Sequence, residues 1–153
     1  MRKVIVLSGV SGSGKSTYTA SLLGEAERMS VCSADHYFMS EGVYKFDPSK
    51  LSDAHGACFR DFLASLQINT HMVVVDNTNT TAVEIAPYIL GAQAFGYEVE
   101  IHTLMCESED DVRECAARNA HGVPFQGVMA QHKRLQERSL PPWWKNVVTR
   151  PHF

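Results

Sequence analysis

Residues 9–16 read GVSGSGKS, directly after the apolar run KVIVL at 3–7. The octet fits GxxxxGK[ST] in full. It follows a strand-like segment and opens a short helical stretch, Ser16 to Leu23, which is the context the pattern needs. Its glycines let backbone N–H groups turn inward onto a polyphosphate. Gly9, Ser11, Gly12, Ser13, Gly14, Lys15, Ser16 and Thr17 are therefore the candidate nucleotide contacts. Lys15 is expected to reach the β and γ phosphates, and Ser16 to bind Mg²⁺ through its hydroxyl. From average residue usage the pattern arises by chance in well under about 1% of chains of this length.

Outward from the loop, strands and helices alternate. A second strand is predicted at SVCSA (30–34) and a third at MVVVD (72–76). Between them, Leu51, Ala54, Cys58, Phe59, Phe62, Leu63 and Leu66 recur at three and four, which predicts an amphipathic helix over 49–67 with His55 on its inner face. Thr81-Ala-Val-Glu84 fits a capping box for a helix that stops near Gly96. EVEIHTL (98–104) alternates as a strand. A helix from Ser108 through Arg118 is broken by HGVP (121–124), a helical pattern resumes over 125–138, and NVVT (146–149) is a candidate last strand. Such alternation predicts an α/β, three-layer fold with a mostly parallel central sheet of about five strands. Ligands of such sheets sit at the carboxyl ends of the strands.

The chain's 153 residues are expected to form one domain, 1–153. The apolar N-terminal run is about five residues, short of a secretory core of 7–15, and no run reaches the roughly 18–20 needed to cross a bilayer. A cytosolic, cytoplasmic protein is the expectation. The net charge of −3 argues against non-specific coating of duplex nucleic acid. Cys32, Cys58, Cys106 and Cys115 have no CxxC or His partner at metal spacing, and are read as buried thiols.

Residues just beyond each strand carry the candidate chemistry. Asp35 follows the second strand; from position alone it is either the base for an attacking hydroxyl or a helix cap. His36 and Tyr37, which follow it, are candidates to bind the acceptor. Tyr37, Phe38, Tyr44 and Phe46 either stack on a nucleobase or pack under the loop. Asp76 ends the third strand, placed to orient Mg²⁺ or to be a buried structural acid. Asn77 and Asn79 are candidates to hold the acceptor, or to lock the phosphate loop and Asp35 by hydrogen bonds. Thr80 and Thr81 read as capping residues. Lys133, Arg134 and Arg138 are either a guide for a polyanion or a solvated face. Trp143 and Trp144 are read as sealing the C-terminal edge of the fold.

The blocks GVSGSGKS, SADHYF (33–38), GVYKFDP (42–48), LSDAH (51–55), VVVDNTNT (73–80), PYILGAQAFGYEVEI (87–101) and RNAHGVP (118–124) fall in one order over almost the whole chain. Together they resemble the small P-loop kinase family typified by the ATPase domain of NEDD4-binding protein 2, which is related to the kinase half of phage polynucleotide kinase. The resemblance implies a P-loop NTPase-type fold with a helical lid at about 113–127. It makes Asp35 the general base, and Arg118 the lid arginine that contacts ATP and stabilises the transferred phosphoryl group. Two positions depart from the pattern. His36 stands where the family usually has a second acid, and Phe38 and Met39 occupy the region where the phage enzyme carries an arginine for the acceptor phosphate.

The resemblance implies an ATP- and Mg²⁺-dependent kinase that phosphorylates a hydroxyl of a nucleic acid or nucleotide. The acceptor is a 5′-OH end or, as in viral DNA hypermodification, a hydroxymethyl group on a modified base. The alternatives are a small-molecule P-loop kinase and a non-catalytic nucleotide-dependent switch.

Overall fold

The computed structural model describes residues 1–153. Its central sheet has the order β2–β5–β1–β6–β7, and every pairing in it is parallel. The strands are β1 (Lys3–Gly9), β2 (Met29–Cys32), β5 (Met72–Asp76), β6 (Glu98–Met105) and β7 (Val147–Pro151). A two-stranded hairpin, β3 (Met39–Ser40) and β4 (Val43–Tyr44), stands apart from the sheet. Five helices complete the fold: α1 (Lys15–Ser21), α2 (Leu51–Gln67), α3 (Ala82–Ala94), α4 (Glu109–Arg118) and α5 (Phe125–Glu137). No helix is long and apolar enough to cross a membrane.

The apolar runs explain the middle layer. Val4, Ile5, Val6 and Leu7 of β1 are each at most 1% exposed. Alternate side chains of a strand face opposite ways. Val4 and Val6 join the core under α2 and α3 with Phe62 and Ile85, whereas Ile5 and Leu7 join Tyr18 of α1 and Leu22, its C-cap, on the other face. Burying such a side chain contributes roughly 1.5–3 kcal/mol. A polar residue on either face of β1 would therefore undo a large share of the fold's net stability.

Because all five strands run the same way, the segments after β1, β2 and β5 emerge on one edge. The phosphate loop, Asp35 and Asp76 are thereby brought together. Capping sharpens their positions. Ser33 ends the extended segment at β2 and accepts a hydrogen bond from the Asp35 N–H at 3.2 Å, starting a short 3-10 turn, Ala34–Phe38. The predicted second strand thus stops at Cys32, two residues early. Thr81 and Ser108 cap α3 and α4 through the N–H groups of Glu84 and Asp111, as the sequence predicted.

Two further expectations change, and one element is new. His55 is exposed. The inner stripe of α2 runs through Ala54, Cys58, Phe62 and Leu66, and one residue beyond Ala54 turns His55 about 100° away. Trp144 packs against the core, but Trp143 is 74% exposed and seals nothing. The β3–β4 hairpin was not predicted. Its turn is Glu41-Gly42, both at positive φ (51° and 78°), the geometry of the tightest hairpins.

Candidate active site

The carboxyl edge of the sheet opens into a cleft of about 650 Å³, lined by the phosphate loop, Asp35, His36, Asp76, Asn77 and the segment 118–121. Gly12 (φ 79°) and Gly14 (φ 93°) turn the loop. A Cβ on Gly12 would lie 2.0 Å from the Cys115 carbonyl oxygen of α4, so only glycine lets the two backbones approach this closely. From the other side, Gln131 of α5 accepts from the Ser11 N–H at 2.8 Å and donates to its hydroxyl at 3.1 Å. Gly9 and Ser13 lie beneath the cleft surface: Ser13 is fully buried, and its hydroxyl fills the space a Cβ on Gly9 would take.

Lys15 suits a polyphosphate. Its Nζ donates to the Gly9 and Val10 carbonyls at 3.1 and 2.9 Å. Burial pulls its pKa down, and the Asp76 and Asp35 carboxylates work against that pull. An anion in the cleft would restore the favourable charge balance. The Ser16 hydroxyl donates to Asp76 Oδ2 at 3.4 Å. A hydroxyl and a carboxylate at the mouth of a phosphate loop form a hard-oxygen donor pair suited to Mg²⁺. Burial raises the Asp76 pKa while Lys15 lowers it, so a cation there would stabilise the ionised form. Thr17 lines the same part of the cleft.

At the far end, Asp35 and His36 face the cleft. Asn77 also lines it. Its Oδ1 accepts from the Ala34 N–H at 2.9 Å and its Nδ2 reaches Cys58 Sγ at 3.5 Å. Asn77 thus fixes the backbone next to Asp35 while still lining the cleft. Asn79 is corrected as an acceptor contact. It is 2% exposed and adopts φ 44°; its Nδ2 donates to the Leu7 carbonyl at 2.7 Å, and its own carbonyl accepts from Ser8 Oγ at 2.6 Å. It ties the turn after β5 to β1. Tyr37 is likewise off the cleft; it packs edge-on against Phe38 with ring centres 5.5 Å apart.

Arg118 and Arg113, both on α4, are placed differently. Arg118 lines the cleft and donates from Nε to the Gly12 carbonyl at 2.6 Å, whereas Arg113 pairs with Glu109 at 2.8 Å and lies over the Phe125 ring. Asn119 builds the turn between them and α5. It donates to the Ala116 and Val123 carbonyls at 2.7 and 2.9 Å, and accepts from the His121 and Val123 N–H groups at 3.2 and 2.9 Å. The basic run is divided between an exposed Lys133 and two bonded arginines. Arg138 is half-buried, bonded to Ser8, the Asn79 carbonyl and Thr103, and Arg134 bonds Thr80.

Four contributors escaped the sequence reading. Gln131 carries no motif signal, and Asn119 lies within RNAHGVP but was not singled out there. Tyr44 donates to Asp35 Oδ1 at 3.2 Å, but it was visible only as one of several loop aromatics. Phe153 covers Gly14, and its N–H donates to the Ser13 carbonyl at 2.9 Å; only the path of β7 brings it there.

The chain's similarities to known proteins agree with this geometry. A family model described as an AAA domain, AAA_33, matches residues 4–142. NEDD4-binding protein 2 from Homo sapiens is 31% identical over 131 residues, which are 84% of this chain. The chain spans only 7% of that relative's length. Among solved structures, a gluconokinase from Sinorhizobium meliloti 1021 superimposes with a TM-score of 0.66 at 17% identity, covering 99% of this chain and 85% of the other. A chain of a Pnkp1/Rnl/Hen1 complex gives 0.60 at 19% identity, covering 76% of this chain and 38% of the other. At these identities the structural likenesses speak for the P-loop kinase fold alone.

Proposed function

Because the chain belongs to the AAA_33 family of P-loop kinase-like domains, we propose that it transfers the γ-phosphoryl group of ATP to a hydroxyl of a nucleic acid or nucleotide. The observation that carries this reading is that Lys15, Asp76 and Asp35 meet in one cleft, close enough for both carboxylates to influence the lysine.

The chemistry divides among the chain's own residues. The loop N–H groups and Lys15 bind the phosphates and orient them along the cleft. Asp35 accepts the proton of the acceptor hydroxyl as its oxygen forms the new bond to the γ-phosphorus. The bond from that phosphorus to the β–γ bridging oxygen breaks, and ADP leaves with the electron pair. Arg118, released from the Gly12 carbonyl, meets charge on the transferred group, and segment 113–127 acts as the lid that carries it. Ser16 and Asp76 are the residues to hold Mg²⁺, which when bound neutralises charge on the β and γ oxygens.

A small-molecule acceptor is the second reading. It is favoured by the cleft's lining, in which Lys15 and Arg118 are the only lysine and arginine and His36, His121 and Met39 accompany Asp35. Labelled ATP offered with 5′-OH oligonucleotides, hydroxymethylated DNA, nucleosides and small alcohols separates the two. Label on a nucleic acid or nucleotide supports the first reading, and label only on a small alcohol replaces it with the second. Tight Mg·ATP binding with no transfer to any acceptor would leave a nucleotide-dependent switch.

A further inference from the structure

We propose that Tyr44 and His121 are positioning residues for the Asp35 carboxylate, and that the segment bearing Arg118 and His121 sets the base and the phosphate loop together. This rests on reading Asp35 as the base.

The two oxygens of Asp35 are each held by a different side chain. The Tyr44 hydroxyl donates to Oδ1 at 3.2 Å, and His121 Nε2 lies 3.2 Å from Oδ2. Each oxygen takes one bond and keeps a lone pair for an incoming hydroxyl. The two holders also pack on each other, with ring centres 4.3 Å apart. The carboxylate, the phenol and the imidazole thus form one closed cluster drawn from three segments of the chain.

Neither holder is free to wander. Tyr44 sits in β4 opposite Met39 of β3, so both side chains leave the same face of the hairpin. Met39 lines the cleft. The Tyr44 ring stacks on Phe46 at 10° and meets Phe38 edge-on, and Phe38 is buried in the main core. Burial, with Asp35 beside it, pushes the Tyr44 pKa up to about 12, so the hydroxyl keeps its proton for donation. His121 is fixed through its backbone, since its N–H donates to Asn119 Oδ1.

The same segment reaches the other end of the cleft. Arg118 donates to the Gly12 carbonyl of the phosphate loop. Three residues span at most about 10 Å, so the backbone of this segment cannot lift from the phosphate loop without also lifting from the base. Lifting the segment to admit nucleotide would take one of the two hydrogen bonds off Asp35; lowering it would return that bond. Orientation of the base thereby follows closure over the phosphates.

Two measurements test this. The first needs no turnover: ring-nitrogen NMR signals of His121, in full-length protein, compared between wild type and Asp35→Asn. The cluster predicts a clear shift, and unchanged signals overturn it. The second is steady-state transfer from Mg·ATP to the best acceptor of the panel above, with water as the acceptor of last resort. Tyr44→Phe and His121→Phe keep both rings and remove only the donors. Each is expected to lower kcat by about tenfold with KM for ATP within about twofold, and His121→Gln to recover most of the loss. Wild-type kcat in both phenylalanine variants overturns the positioning role. A wild type that binds Mg·ADP but phosphorylates nothing, water included, overturns the kinase reading and the positioning role with it; the NMR result then decides the contact alone.

Discussion

Residues 9–17 build one end of the cleft from a single contiguous loop, while the other end gathers Asp35, Tyr44 and His121 from three separate segments. The first end relies on backbone. Its geometry depends on two positive-φ glycines, and its tolerance for added atoms is close to zero at Gly12. The second relies on side chains, and its precision comes from packing: an aromatic cluster on one side and the Asn119 turn on the other. A loop that cradles phosphates has one task, and its residues are hard to exchange. An acceptor site assembled from side chains can be altered one residue at a time, which suits a fold shared among kinases of different specificity.

Substitutions separate the two ends. Gly12→Ala should do the most damage. It forces a Cβ into the Cys115 carbonyl at a left-handed φ, costing about 2–4 kcal/mol, and should abolish ADP binding by calorimetry along with a fall in Tm. If Gly12→Ala bound ADP normally, the phosphate end would be less rigid than its geometry implies. Asp76→Asn comes next. It should weaken Mg²⁺-dependent ADP binding by about 10–100-fold and leave Mg²⁺-free binding alone.

The same residue predicts a pH effect. Only ionised Asp76 can take a cation, and burial raises its pKa above that of an exposed aspartate. Affinity for Mg·ADP should therefore hold near neutral pH and fall on acidification, earlier than a surface carboxylate would allow. In Asp76→Asn that acid limb should disappear. Asn79→Ala should act on the scaffold instead: about 1–3 kcal/mol of stability lost, read by denaturant unfolding, with acceptor KM unchanged. Smallest of all is Arg113→Ala. Its exposed pair with Glu109 and its place over Phe125 contribute at most about 1 kcal/mol, and transfer should be unaffected.

How far these ends could be read from sequence follows from the same contrast. The phosphate loop, the five parallel strands and the caps at Thr81 and Ser108 were legible because each is set by neighbours in the chain. The placement of Asp35 and Asp76 on one cleft was legible, because a parallel sheet delivers strand ends to one edge; their roles were left open by position alone. Asn77 and Asn79 were not separable. They are the same residue type two positions apart, and it is the left-handed backbone at Asn79 that turns one inward while the other lines the cleft. Tyr44 and His121 were beyond reach for another reason. Their meeting depends on a hairpin of two-residue strands, too short to show any periodicity, and on a turn held by a single asparagine.

The central claim is that Asp35 acts in transfer and not in nucleotide binding. It is tested most directly by measuring Mg·ADP affinity and phosphoryl transfer on one preparation each of wild type and Asp35→Asn. The account predicts affinities within about twofold and a fall in kcat of about 10²–10⁴. Transfer by Asp35→Asn at the wild-type rate, or a loss of ADP affinity that matches the loss of transfer, would contradict it.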